Sequence, residues 1–291
     1  MIATCATLAA LVLNAPARAT ISLSNATCTG IVLKRMAPGV VTIKAGGSTM
    51  RGLTIAGSNI RWRSGTIVSP KGVDGKAAEV YGLWVRGNAA RPARNVRVEN
   101  VRFGFSRKAA VIDGASDVTI ADSRFDGYGE DGIIVSATVG LDVLRNRFVN
   151  IVGKATSCTT AGRVIPGLSS RDCKARRGAW ADGFHTDAIQ MRNGVENAVI
   201  RGNTIRGKTQ GITQMDTAGD APLKNILVEQ NEVWADIHHI TLGGEGCISC
   251  RIERNKVRRF APDAYKAVIR SGPALRCGND VQDEKPNTGC L

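Results

Sequence analysis

The sequence predicts an all-β chain wound into a single-stranded parallel β-helix, a solenoid whose coils take roughly 22–28 residues each. Three observations predict it. Short phrases of alternating apolar residues recur along the chain, they recur at intervals in the twenties, and an asparagine returns at one phase of them.

In chain order the phrases are "NVRVENVRF" (95–103), "DVTIADSRF" (117–125), "LDVLRNRF" (141–148), "NAVIRGNTI" (197–205), "NILVEQNEV" (225–233) and "CRIERNKV" (250–257). Such alternation is the strand period, because successive side chains point to opposite faces. From Asp117 to Leu141 is 24 residues and from Asn197 to Asn225 is 28. Each unit is therefore one supersecondary coil that buries its apolar side only by stacking on its neighbours. Asn146, Asn203, Asn231 and Asn255 share one phase, as an internal amide ladder requires. Ser123 continues that column weakly and Val101 breaks it. A leucine-rich repeat has a similar period, but its dense leucines are missing, and Ile and Val dominate instead.

These repeated "NVxIxxNxF"-type phrases resemble the right-handed parallel β-helix proteins of the pectate-lyase-like superfamily, over roughly residues 40 to 271. The resemblance implies right-handed winding. It rests on the coil pattern and matches no specific catalytic family. Polysaccharide lyases, glycoside hydrolases, epimerases, adhesins and phage tail proteins share that architecture, so the activity has to come from the site.

Composition narrows the partners. The chain has a formal charge of +14 and a pI near 9.8, which favours polyanions. An acidic polysaccharide is expected. Nucleic acid is not, because aromatic stacking platforms are sparse and export is expected. Residues 1–19, "MIATCATLAALVLNAPARA", read as a secretory leader: a short apolar run followed by Ala17-Arg18-Ala19. No segment is long enough to span a bilayer. The expected domains are that leader, a β-helix from 20 to 291, a basic stapled loop at 154–179 within it and a cysteine-containing tail at 272–291. The chain is expected to be a secreted or periplasmic monomer, where disulfides persist. Sequence proximity suggests Cys158–Cys173, Cys247–Cys250 and Cys277–Cys290, with Cys5 lost in the leader and Cys28 unpaired.

Two phrases locate a site. "DGYGEDGIIVS" (126–136) and "DGFHTDAIQMR" (182–192) match as D-G-aromatic-x-x-D-small-Ile, 56 residues apart. That interval is one coil plus an insertion, or two coils. The aspartates suit the turn, so what is new in the second phrase is His185, Gln190 and Arg192. Placing Ile133, Ile189, Ile212, Ile240 and Val268 in one inward column puts their neighbours outward. One outward column reads Gly132, Ala188, Gly211, His239, Ala267, a floor of small residues from which His239 rises. The next reads Ile134, Gln190, Thr213, Thr241, Ile269. Before the strand lies Asp131, Asp187, Gln210, His238, Lys266. Polar groups gather in the middle coils, as in a groove.

The chemistry expected there is β-elimination on a uronate polysaccharide. A base takes the proton α to a carboxylate, and a cation neutralises that carboxylate. His185 or His239 is the expected base, with Arg192 or Lys208 neutralising. Asp187, Gln190, Gln210, Gln214, His238, Lys266, Arg176 and Arg177 are the expected substrate contacts. Either no cofactor is needed, or Ca²⁺ sits at Asp131 and Asp187. The alternatives are a glycoside hydrolase using Asp187 with Asp216 or Asp236, and a non-catalytic glycan-binding protein.

Overall fold

Three parallel ladders run the length of the chain, one on each face of a solenoid. The structure is a computed structural model. It describes all residues except 73–80, 89, 150, 152–156, 161–162, 167–174, 176–178, 182–185, 216–218, 243–245, 263, 273 and 286–291, and only the backbone of 157–160, 163–166 and 179–181. The first face stacks strands that include Arg94–Glu99, Ser116–Ala121, Val139–Leu144, Glu196–Arg201, Leu223–Glu229 and Arg251–Glu253. The second is built of short strands such as Arg102–Gly104, Arg124–Asp126, Arg147–Val149, Thr204–Arg206 and Glu232–Ala235. The third contains Tyr81–Arg86, Lys108–Asp113, Asp131–Ser136, Asp187–Arg192, Gln210–Gln214, Ile240–Thr241 and Ile269–Arg270.

Register gives the coil length. On the first face Val96 stands beside Val118 and Val118 beside Leu141, steps of 22 and 23 residues. Ala198 to Ile226 is 28, and Leu227 to Arg251 is 24. The step from Leu141 to Ala198 is 57 residues. It is one coil plus an insertion, which settles the 56-residue spacing of the two matching phrases. Within that insertion Ser157–Thr160 pairs antiparallel with both Arg163–Pro166 and Ala179–Ala181. The expected Cys158–Cys173 bridge, Arg176 and Arg177 lie outside the described residues.

Inside, like stands on like. Phe103, Phe125 and Phe148 stack with centroids 4.4 and 4.5 Å apart. The amide ladder is present and runs one coil further than the sequence suggested. Asn146, Asn203, Asn231 and Asn255 each donate Nδ2 to the Oδ1 of the next, at 2.9–3.2 Å, and Asn279 completes the column. The same Oδ1 atoms accept the backbone N–H of the preceding asparagine. Ser123 ends the ladder by binding Asn146 Oδ1 through its own N–H and giving its hydroxyl oxygen to Val101 N–H. Before each rung the chain turns through a left-handed residue: Asp122, Arg145, Gly202, Gln230, Arg254 and Gly278, with φ between 52° and 66°. Non-glycine side chains adopt that conformation at a cost, which the buried amide bonds offset.

Residues 1–19 close the first end. Ile2–Ala3 pairs with Ser22 and Leu23. The helix Cys5–Asn14 buries Leu8 and Val12 completely. Arg35, only 1% exposed, donates Nη1 to the carbonyls of Val12 and Ala15 and Nη2 to those of Pro38 and Gly39. Its guanidinium thus serves the carbonyls that a helix end leaves open. Cys5 is disulfide-bonded to Cys28, which corrects the expectation that Cys28 has no partner. The first coil therefore has a structural use for the segment that the leader reading did not give it. Cys247 and Cys250 form the expected local disulfide. Cys277 is also disulfide-bonded, while Cys290 lies outside the described residues.

Asn231→Ala tests the ladder. It takes the acceptor from Asn203 N–H and the donor from the Ile200 carbonyl. Buried groups left unpaired cost about 1–3 kcal/mol each, so chemical denaturation should show a loss of about 2–6 kcal/mol. A loss under about 1 kcal/mol would show that the amide column does not hold the coils.

Candidate functional site

On the third face the middle coils stand in the alignment read from the sequence. Asp131 pairs with Asp187, Ile133 with Ile189, Ile134 with Gln190 and Ser136 with Arg192. Asp187 then pairs with Gln210, and Gln190 with Thr213. Ile212 meets Ile240, and Thr213 meets Thr241. The last step differs by one residue. Ile269, not Val268, stands beside Ile240, and Arg270 beside Thr241. A turn closed by Ala264 N–H on the Ala261 carbonyl absorbs the extra residue at the corner. A slip of one exchanges the two sides of a strand. Arg270 therefore joins the outward column, and Lys266 leaves the one to which it was assigned, exposed before the strand.

The supposed groove floor also turns inward. Ala188 and His239 are fully buried. A Cβ on Gly132 would lie 2.9 Å from the Phe148 ring, and one on Gly211 would lie 1.9 Å from the His239 carbonyl oxygen. Strict alternation fails here because two successive residues at the strand's entry are both hidden: Asp131 with Gly132, and Asp187 with Ala188. His239 is thus a core residue, not a base at the surface. Burial holds its pKa below the usual histidine value, against a smaller upward pull from the backbone at Arg258 and Ala235.

The two aspartates are buried as well. Asp187 is fully buried and accepts Gln190 Nε2 at 2.9 Å on Oδ2 and Thr213 Oγ1 at 2.7 Å on Oδ1. It is not a surface contact for substrate. Asp131 is 2% exposed, with Lys108 Nζ at 3.3 Å. Burial pushes the Asp131 carboxyl up to about 8; Lys108 opposes that, and the charges of Asp187 and Glu130 add to it. Two buried carboxylates on adjacent strands cannot both ionise freely, so Asp131 holds the proton. Lys108 also reaches Glu130 at 3.2 Å. Burial works against its charge, but Asp131 and Glu130 outweigh it and raise its pKa. Lys108 and Glu130 were missed from sequence, although Lys108 stands directly beside Asp131 one coil earlier.

What opens on this face is a cavity of about 230 Å³ lined by Gln210, Thr213, Gln214, Met215, His238 and Thr241. Three expected contacts, Gln210, Gln214 and His238, meet there. Gln214 Nε2 also donates to the Gly246 carbonyl, next to the Cys247–Cys250 disulfide. Arg192 ends the strand of the preceding coil, and Arg270 stands beside Thr241 in the following one. Arg192, Lys208 and Arg270 are exposed, and none forms an ion pair among the described residues. The first face differs. There Arg61 and Arg97 share Glu99, Arg201 and Arg254 share Glu229, and Arg251 holds Glu253. His185 and Asp216 lie outside the described residues. Among the described residues no group of three or more His, Cys, Asp or Glu side chains is placed to hold a metal ion. Asp131 and Asp187 are instead bonded to Lys108, Gln190 and Thr213, so this pair alone does not make the oxygen cage that Ca²⁺ requires.

No protein-family model matches the chain, and neither does any curated protein sequence. Solved structures do. The Dettilon tailspike protein is similar over 94% of this chain and 56% of its own, with 12% identity and a TM-score of 0.57. The chain is a right-handed parallel β-helix. Pectate lyase Pel9A (10% identity, 93% of this chain and 73% of that one, TM-score 0.43) and the Agl-KA catalytic domain (13%, 94% and 57%, 0.46) also match. The β-helix spans just over half the length of the tailspike, and at these identities the likeness is one of fold. No described helix is long and apolar enough to cross a membrane.

The buried acid gives the β-helix a pH signature. Folded Asp131 keeps its proton up to about pH 8, whereas the unfolded chain releases it near 3.8. Its stabilising contribution is complete below the unfolded value and is lost as pH rises toward 8. Denaturation at pH 5 and pH 8 should show the wild type losing more stability than Asp131→Asn over that interval. Equal losses would place the proton elsewhere.

Proposed function

We propose that this β-helix binds an acidic, uronate-containing polysaccharide along its third face and cleaves it by β-elimination. One observation carries the reading. A cavity with His238 on its wall lies between coils that present two exposed, unpaired arginines, Arg192 and Arg270. Elimination needs a base near the proton α to the carboxylate and a fixed positive charge on the carboxylate as the carbanion forms. His238 is the base among the described residues, and His185 is the other candidate. Arg192 and Arg270, with Lys208 at the strand's entry, neutralise the carboxylate. Gln210 and Gln214 hold sugar hydroxyls.

Glycoside hydrolysis fits less well. It needs two carboxyl groups that both reach the scissile bond, and Asp131 and Asp187 are turned into the scaffold. Ca²⁺ stays a secondary expectation, tested by EDTA. The disulfides favour an exported protein in an oxidising compartment.

Incubation with a panel of uronate polysaccharides should produce unsaturated uronate ends, seen as new ultraviolet absorbance. His238→Ala should lower kcat about 10²- to 10⁴-fold. Arg192→Ala should lower kcat/KM by about 10²-fold or more. New reducing ends without the absorbance would replace elimination by hydrolysis, and binding without any new ends would leave a glycan-binding protein.

A further inference from the structure

We propose that Asp187 sets the hydrogen-bonding polarity of the cavity wall, making Thr213 an acceptor toward the ligand, so that this wall takes sugar hydroxyls and rejects the carboxylate. This rests on reading the third face as the glycan site. Thr213 has one hydroxyl proton. It is spent on Asp187 Oδ1 at 2.7 Å inside the wall, so Thr213 Oγ1 faces the cavity only with lone pairs. Asp187 cannot reverse the bond, because an ionised carboxylate has no proton to give. The neighbouring Gln190 is fixed the same way. Its Nε2 donates to Asp187 Oδ2 at 2.9 Å and lies 3.7 Å from Met215 Sδ, so its amide cannot swing its donors toward the cavity.

The consequence is a fixed orientation for each bound sugar. Donor groups, the ring hydroxyls, go to the Thr213 wall. The carboxylate, an acceptor that meets only lone pairs there, goes to the edges where Arg192 and Arg270 stand. Asp187 touches no substrate, and its role is that of a positioning residue. Asp187→Asn is nearly isosteric and keeps two hydrogen-bonding atoms. It carries an amide that can donate to Thr213 and free the threonine proton for the cavity.

The test measures calorimetric binding of hexagalacturonate and of the same oligomer with its hydroxyls capped as methyl ethers. The wild type should bind the capped form about tenfold more weakly or worse. Asp187→Asn should reduce that preference to about threefold or less while remaining folded by circular dichroism. A variant that keeps the full preference overturns the proposal. A wild type that binds neither oligomer sinks the uronate reading and leaves polarity to a ligand-free measurement. A hydroxyl proton held on a buried carboxylate exchanges slowly, so Thr213 should give its own NMR hydroxyl signal in the wild type and lose it in Asp187→Asn. Absence of that signal in the wild type, or its persistence in the variant, overturns the proposal on its own.

Discussion

Every coil of this chain must stand on an equivalent coil one strand spacing away, about 4.8 Å. That constraint decides which side chains are tolerated at each position, because each side chain's nearest neighbour is its counterpart in the next coil. Inside, identical residues satisfy it at once. Phenylalanine rings stack, and asparagine is both donor and acceptor, so a column of amides satisfies itself without another residue type. Outside, identical charges cannot stack. The first face solves this by placing Glu99, Glu229 and Glu253 among arginines. Exposed pairs of this kind contribute little stability each. Their effect is to let a strongly basic chain stack without repulsion.

The third face breaks this arrangement in two ways. Asp131 stands directly on Asp187, a like pair that is relieved by protonation and by Lys108. A few residues away, arginines face solvent with no carboxylate beside them. The first departure concerns the scaffold. It fixes Thr213 and Gln190 from below and never reaches the surface. The second concerns the ligand. Cations left unpaired on a face that could have paired them attract an anion that comes from outside.

Much of the fold was legible in the sequence for the same reason. A constraint that repeats every coil writes itself repeatedly, so Asn146, Asn203, Asn231 and Asn255 identify each other. Asn279 was overlooked because its phrase, "LRCGNDV", carries cysteine and glycine where the other coils carry apolar residues. The middle register was equally readable from Asp131 and Asp187. The errors fall where a coil departs from the repeat. Lys266 was placed one residue out of register because a turn at 261–264 absorbs a residue that the sequence does not mark. His239 and Asp187 were taken as surface groups because strict alternation was assumed at a corner where two successive side chains are hidden. Lys108 and Arg270 were missed because their own coils lack the motif, and a site spread over stacked coils is visible only once register is known.

The distribution of paired and unpaired charge also bears on how a polyanion would find this face. Paired arginines on the first face offer a ligand little, since each already has its counter-ion within contact distance. The unpaired ones around the cavity contribute their full field. At physiological ionic strength that field reaches about 8 Å, so it selects among surfaces of one molecule rather than attracting the polymer from afar. A ligand captured by the net charge of +14 lands anywhere and is held only where cations are free and a wall of hydrogen-bonding groups stands between them. On the third face both conditions coincide, and the buried acid beneath them keeps that wall in one orientation.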